Sequence, residues 1–337
     1  MPKIKKFHIN LWVTKQIGFI IAVAFLCIII MAFFYVYEIP LNIDFFKAEI
    51  KDQFITIESV TNKSNLKNKV IRGSNGWLFY FREVSTIVQR WNHNENNYKV
   101  FKLFNEHLKK TQTSLILVPV PNKAEIYSEK IFANSKIELM IRNKRKNFFR
   151  QFEKSGIETI DLFDLFMVKK QDSSLYFKTD THWNSFGKMI AATEVSKCNC
   201  FSDLAPSNLN AGILRDSTLN MEGDLQNILL DDQNADTVVV KMVVDSFRTL
   251  RPARNNSEIL IIGDSFAGEQ EKNNANFGAY LSYFLHQSVD TKYSINSDGN
   301  KFVQYAQKIF NSYKIKPKIV LLVFSSRKLL WHINADY

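Results

Sequence analysis

The chain has 337 residues, 46% of them hydrophobic and 23% charged, which excludes disordered and fibrous classes and suits a single large α/β domain. Its formal charge is +11, but Lys3, Lys5, Lys6 and Lys15 precede an apolar segment without one acidic residue, leaving 40 basic against 33 acidic side chains, a surplus of seven. Such a surplus fits an acidic polymer or no charged partner at all, and no nucleic-acid motif accompanies it. Of the three cysteines, Cys27 lies in the apolar segment, and Cys198 and Cys200 are separated by one residue, so neither a disulfide framework nor a metal site is expected, and no cofactor either.

Residues 1–16 read as a cytoplasmic tail. Ile17 to Tyr37 (IGFIIAVAFLCIIIMAFFYVY) carries no charge and is long enough as a helix to cross a hydrocarbon core of about 30 Å. Lysines crowd its N-terminal side while Glu38, Asp44 and Glu49 follow it, so the positive-inside rule places everything after Tyr37 outside the cytoplasm. Residues 38–70, rich in Asn and Lys, are expected to be a spacer, and residues 71–337 the folded domain.

Within that domain, Gly73-Ser-Asn75-Gly76 before the aromatic run Trp77 to Phe81 predicts a hairpin. Helices are expected over Tyr98–Lys110 (apolar at Val100, Leu103, Phe104 and Leu108), Ile137–Lys154, Phe163–Lys169, Ser185–Lys197 and Lys301–Tyr313. Strands are expected over Ser114–Val120, Ile157–Ile160, Thr237–Val244, Glu258–Ile262 and Ile319–Phe324. Helices alternating with wholly apolar strands imply a mostly parallel sheet covered on both faces.

Two segments can carry chemistry. In Ile259-Leu-Ile-Ile-Gly263-Asp264-Ser265-Phe266 an apolar strand ends at a glycine and a serine follows, at the carboxyl edge where α/β sheets bind ligands. A helix starting there would aim N–H groups, Ser265's own included, at a developing oxyanion; the bland alternative is an N-cap. A second donor could come from the loop after Val120 or from Asn122. A serine needs a base, and a base needs an orienting carboxylate. Among the six histidines His182 qualifies, because Asp180-Thr-His182-Trp183 sets a carboxylate two residues earlier on the same side of an extended segment. Ser265, His182 and Asp180 are therefore the candidate nucleophile, base and orienter. Lys123, Trp183 and Arg327 are candidate sugar contacts, and Asp224 reads as a loop-turning residue.

The pair Thr179-Asp180-Thr-His182-Trp183 and Gly263-Asp264-Ser265-Phe266, in this order, resembles the SGNH-hydrolase-like domain of the alginate O-acetyltransferases AlgJ and AlgX. Gly73 to Tyr80, Val118-Pro-Val-Pro-Asn-Lys123, Gly223-Asp224-Leu225 and Phe324-Ser-Ser-Arg327 extend the likeness over roughly Ile71 to Leu330. The resemblance implies an SGNH-hydrolase-like α/β fold behind one transmembrane helix. It also implies an extracytoplasmic enzyme of the bacterial inner membrane that acetylates hydroxyls of an exported polysaccharide through an acetyl-serine. A separate multi-pass membrane acyltransferase would supply the acetyl group. The alternatives are an acetyl esterase using the same triad, and a non-catalytic polysaccharide-binding or assembly subunit.

Overall fold

The computed structural model describes residues 70–88, 95–133, 136–205, 212–229, 236–244, 257–270, 273–295 and 299–330. The tail of 1–16, the span of 17–37 and the spacer as far as residue 69 lie outside the described residues, among which no helix is long and apolar enough to cross a membrane. The last expected spacer residue, Val70, opens the first strand.

Strands β1 (Val70–Arg72) and β2 (Leu78–Tyr80) pair antiparallel as the Asn-Gly signature requires. Asn75 (φ 58°) and Gly76 (φ 76°) occupy the left-handed region that Asn and Gly tolerate best. The aromatic run does not continue as strand: Phe81 starts helix α1 (Phe81–Val88), because Glu83, Val84 and Ile87 recur at helical spacing and all are buried.

After α2 (Glu95–Lys109) come β3 (Ser114–Val120), the single turn α3 (Lys123–Ile126), α4 (Lys136–Lys154), β4 (Glu158–Thr159), α5 (Phe163–Lys169) and α6 (Ser185–Val195). Next follow β5 (Ile213–Met221), α7 (Asp224–Leu229), β6 (Asp236–Val244), β7 (Ile259–Gly263), α8 (Ser265–Gly268), α9 (Phe277–Leu285), β8 (Val289–Tyr293), α10 (Gly299–Ser312), β9 (Ile319–Ser325) and α11 (Arg327–Leu330).

The central sheet has five strands in the order β4-β3-β9-β7-β8, every neighbouring pair parallel. Alternation within the strands divides the core. Leu115 and Leu117, Leu260 and Ile262, and Val320 and Leu322 point to one face, where Phe104 and Leu108 of α2, Phe149 and Phe152 of α4, and Phe302 and Phe310 of α10 cover them. On the opposite face α9 lies so close to β7 and β8 that a Cβ added at Gly278 would meet Thr291 Oγ1 at 2.3 Å and Ile261 Cδ1 at 3.5 Å. Strands buried on both sides must read as unbroken apolar runs, which is why β3, β7 and β9 were readable. The buried stripe of α2 is Phe101-Phe104-Leu108; Leu103, expected inside, is 54% exposed.

Beside this sheet, β5 and β6 form a nine-pair antiparallel ladder from Ile213↔Val244 to Met221↔Asp236. Only β6 was expected, since β5 (ILRDSTLNM) alternates between half-buried and exposed positions and buries no residue fully. The structure also joins Cys198 and Cys200 in a disulfide across one intervening residue, a ring too local to staple the fold.

Register fixes where the site can form. Val120 of β3 pairs with Ser325 of β9, and Gly263 of β7 pairs with Val323, so three carboxyl ends finish side by side. Gly263 is required there: a Cβ would sit 2.4 Å from the Val323 carbonyl oxygen and 2.3 Å from Ala267 Cβ. Gly263→Ala is therefore expected to lower the unfolding free energy by about 1–3 kcal/mol, read from urea denaturation followed by circular dichroism. An unchanged midpoint would contradict the close approach.

Candidate active site

Ser265 stands at the first position of α8, immediately after β7. Asp264 caps the helix: its Oδ1 accepts the Phe266 N–H at 2.9 Å while its Oδ2 accepts the Ser325 N–H at 3.0 Å, tying the end of β7 to that of β9. Because the cap is Asp264, Ser265 is left half-buried at the helix start with its amide beyond the reach of any intrahelical carbonyl. The N-cap role falls to Asp264, which leaves the neighbouring Ser265 free of that role and still a candidate nucleophile.

The base arrives on a loop that bites its own tail. Tyr176 and Trp183 form an antiparallel bridge, and the Phe177 amide donates to the His182 carbonyl at 3.3 Å. Three elements grip this loop from outside. The Leu78 N–H of β2 donates to Lys178 O at 2.9 Å, and the Leu225 and Gln226 amides of α7 donate to Thr179 O at 3.2 and 3.3 Å. Gly223 passes so near that a Cβ there would fall 2.2 Å from Thr179 O. From below, the Lys123 ammonium donates to the carbonyls of Asp180, Lys178 and Phe177 at 2.6, 3.1 and 3.2 Å.

The three catalytic candidates meet. His182 Nε2 lies 2.9 Å from Ser265 Oγ, and His182 Nδ1 lies 2.8 Å from Asp180 Oδ1. Asp180 is oriented further by the His182 amide on Oδ1 at 2.7 Å and the Asp224 amide on Oδ2 at 2.9 Å. Asp224 does more than turn the loop. Its carboxylate accepts the Thr181 N–H at 2.7 Å and the Thr181 hydroxyl at 2.5 Å, and it lies 3.8 Å from His182 Nδ1.

These contacts set the protonation states. Burial works against the Asp180 carboxylate, but the adjacent imidazolium and the hydrogen bonds to it hold the pKa well below the ordinary 3.8. Burial also works against the His182 cation, and the charge and hydrogen bond of Asp180, with Asp224 and Glu269 behind it, overcome this and raise His182 to about 9. Burial and the like charge of Asp180 push Asp224 upward.

The other expected contacts lie elsewhere. Lys123 is fully buried, with its ammonium among three carbonyls, so it braces the loop from within the core. Arg327 is spent on a buried ion pair with Glu83 of α1, its guanidinium stacked over Phe266. Trp183 is buried, donates Nε1–H to Phe266 O at 2.9 Å and stacks on Phe277, which makes it a wall behind the triad and leaves no face for a sugar. Asn122 is buried under α3, with its Oδ1 accepting the Ser325 hydroxyl at 2.8 Å. Asp180, His182 and Asp224 carry ligand-type atoms within 4.8 Å of one another, but Asp180, Ser265 and Thr181 already engage those atoms in the hydrogen bonds above.

Ser265 and His182 open onto a cleft of about 470 Å³. It is lined by the end of β5 (Leu219, Asn220, Met221), by Tyr293 at the end of β8 with Ile295 two residues on, and by Gly268 to Gln270 with Asn273. None of this lining was readable beforehand, because β5 and β8 carry no motif and reach Ser265 only through sheet topology.

The family model described as SGNH hydrolase-like domain, acetyltransferase AlgX, matches residues 70–324. A probable alginate O-acetylase AlgJ of Pseudomonas syringae pv. tomato is 28% identical over 126 residues, which are 37% of this chain and 32% of that protein. The alginate biosynthesis protein AlgX of the same organism is 22% identical over 237 residues, 65% of this chain and 47% of that protein. The matches thus span a third to a half of those relatives' lengths. Among solved structures, the O-acetyltransferase domain of Pseudomonas putida AlgJ superposes with a TM-score of 0.57 at 20% identity, covering 77% of this chain and 91% of that one. Pseudomonas aeruginosa AlgX gives 0.60 at 18% identity, covering 79% and 63%. At these identities the likeness shows the fold.

The geometry carries two expectations. Asp180→Asn removes the anion that raises His182, so its imidazole pKa should fall from about 9 to near or below the ordinary 6.5, seen by NMR titration of the histidine ring; a pKa that stays put would separate Asp180 from the base. Lys123→Met strips three carbonyls of their donor and leaves Glu83 and Asp180 less balanced, a loss of about 3–5 kcal/mol in urea unfolding. A variant of native stability would return Lys123 to the role of a surface contact.

Proposed function

We propose that this chain, which belongs to the family of SGNH hydrolase-like AlgX acetyltransferase domains, transfers acetyl groups to hydroxyls of an exported polysaccharide by way of an acetyl-Ser265 intermediate. The observation that carries the reading is the unbroken relay from Ser265 Oγ through His182 to Asp180, with links of 2.9 and 2.8 Å, at the mouth of an open cleft.

In the first half-reaction Ser265 Oγ attacks the carbonyl carbon of an acetyl ester or thioester, and its proton passes to His182 Nε2. The carbonyl π pair moves to oxygen, which would accept from the Ser265 N–H at the start of α8. When the tetrahedral intermediate collapses, the donor's leaving group takes the proton from His182 and departs. In the second half a sugar hydroxyl gives its proton to Nε2, attacks the acetyl-serine, and expels Ser265 Oγ, which recovers the proton. Asp180 holds Nδ1–H throughout, so Nε2 is the nitrogen that turns toward the serine.

The elevated His182 pKa has a kinetic consequence. At neutral pH the resting imidazole is mostly protonated, held so by Asp180, and only its neutral form can accept the serine proton. The apolar segment of residues 17–37 and its flanking charges support an anchored domain on the outer side of the bacterial inner membrane. There an activated acetyl group has to be delivered, by a membrane-embedded acyltransferase as the partner.

The test is intact mass spectrometry of the purified chain after incubation with a small activated acetyl ester. An added acetyl group, about 42 Da, is expected on the wild type and not on Ser265→Ala. Labelling should quicken about tenfold per pH unit up to about pH 9, as His182 gives up its proton. Labelling without transfer to any sugar, only to water, would establish the esterase. No labelling and no turnover would move the non-catalytic binding subunit to the front.

A further inference from the structure

The loop that carries the base is closed by a second carboxylate, and the closure is reciprocal. The Asp224 main-chain N–H donates to Asp180 Oδ2 at 2.9 Å, while Asp224 Oδ1 accepts the Thr181 N–H at 2.7 Å and Asp224 Oδ2 the Thr181 hydroxyl at 2.5 Å. The next two amides of α7, those of Leu225 and Gln226, both donate to Thr179 O. Thr179, Asp180 and Thr181 are thus all held by the first turn of α7.

Holding the loop does not by itself call for a charge. A neutral amide at position 224 could accept one of the two Thr181 bonds through its oxygen. The carboxylate adds something an amide lacks. Asp224 Oδ2 lies 3.8 Å from His182 Nδ1, the nitrogen already bonded to Asp180 Oδ1 at 2.8 Å, so two carboxylates face the side of the imidazole opposite the nitrogen that meets Ser265. Two anions set together are unfavourable for each other, and the arrangement gains most when a cation stands between them. His182 becomes that cation when it takes the serine proton.

Among the described residues, the carboxylates acting on the His182 charge are Asp180 of its own loop, Asp224 of α7 and Glu269 just past α8. Glu269 is paired with the fully buried Lys188 of α6, whereas Lys123 and the Glu83–Arg327 pair act on the carboxylates from beneath the loop. The Asp224 side chain keeps 40% of its surface exposed, so water screens its charge without cancelling it at this distance.

Resting on the acetyl-transfer reading, we propose that Asp224 is a positioning residue of the base: its carboxylate, facing His182 Nδ1 from α7, holds Thr181 in place and stabilises the imidazolium formed when Ser265 gives up its proton. The sign of its effect on rate follows. With the second anion present His182 keeps its proton up to about pH 9. Without it, the proton leaves at lower pH, and the weaker base then takes the serine proton more slowly.

The experiment uses the full chain. The His182 ring is titrated by NMR, and acetyl-Ser265 formation from a small activated ester is timed by intact mass spectrometry across the same pH range. Asp224→Asn is expected to lower the ring pKa and the rising limb of the rate together by about one pH unit, and to cut the rate above the limb about threefold or more. Thr181→Val, which removes the hydroxyl but keeps the carboxylate and the Thr181 N–H, should leave the limb at its wild-type pH. Should Asp224→Asn not fold, the wild type decides: the Asp224 carboxyl carbon resonance is expected to shift as His182 titrates. A ring pKa and limb unmoved in Asp224→Asn, a limb displaced equally in Thr181→Val, or a carboxyl resonance indifferent to His182 overturns the proposal and leaves Asp224 a clasp on the loop. If the wild type forms no acetyl-Ser265, the acetyl-transfer reading falls, and the ring titration still decides the part played by Asp224.

Discussion

The site depends on balancing three carboxylates gathered beneath one loop. Glu83, Asp180 and Asp224 are close enough to raise or lower one another's ionisation, and burial works against the charge of each. Unpaired, such groups would be costly to bury. Lys123 and Arg327 come from the ends of two neighbouring strands, β3 and β9, to neutralise them, and the His182 imidazolium completes the set. The Lys123 ammonium also spends its donors on main-chain carbonyls of the loop itself, so charge balance and loop shape are one constraint. Fixing the Asp180–His182 geometry is thus the work of residues buried beneath the loop.

This explains what the sequence shows and what it hides. The apolar runs of β3, β7 and β9 are legible because doubly buried strands have no polar face to interrupt them, and the triad is legible because its chemistry demands particular residue types at short spacing. Lys123 and Arg327 invite misreading for a physical reason. A cation just past a strand end looks like a ligand contact, and only the fold reveals that Glu83, on a helix more than two hundred residues away from Arg327, is its partner. Asp224 was undervalued for the same cause: its carboxylate grips Thr181 across 43 residues.

Other elements were invisible because their patterns are ambiguous by nature. β5 keeps no buried residue, so its alternation carries no apolar signal, and it is defined by pairing with β6 alone. Phe81 belongs to an aromatic run that reads as strand, yet the next turn, with Val84 and Ile87 inward, settles it as helix. On α2, choosing Leu103 over Phe101 amounts to a rotation of the stripe, an error that packing against an aliphatic sheet face and the phenylalanines of neighbouring helices corrects.

The division of labour around Ser265 follows from these facts. The ends of β5 and β8 line the cleft at its margins, whereas Asp180 and His182 sit on a loop clamped by β2, α3 and α7. The clamp must be rigid, since displacing His182 by even a fraction of its 2.9 Å link to Ser265 would break the relay. A fold built this way can vary the cleft residues Asn220, Tyr293 or Ile295 while the charge network beneath Asp180 and His182 stays intact.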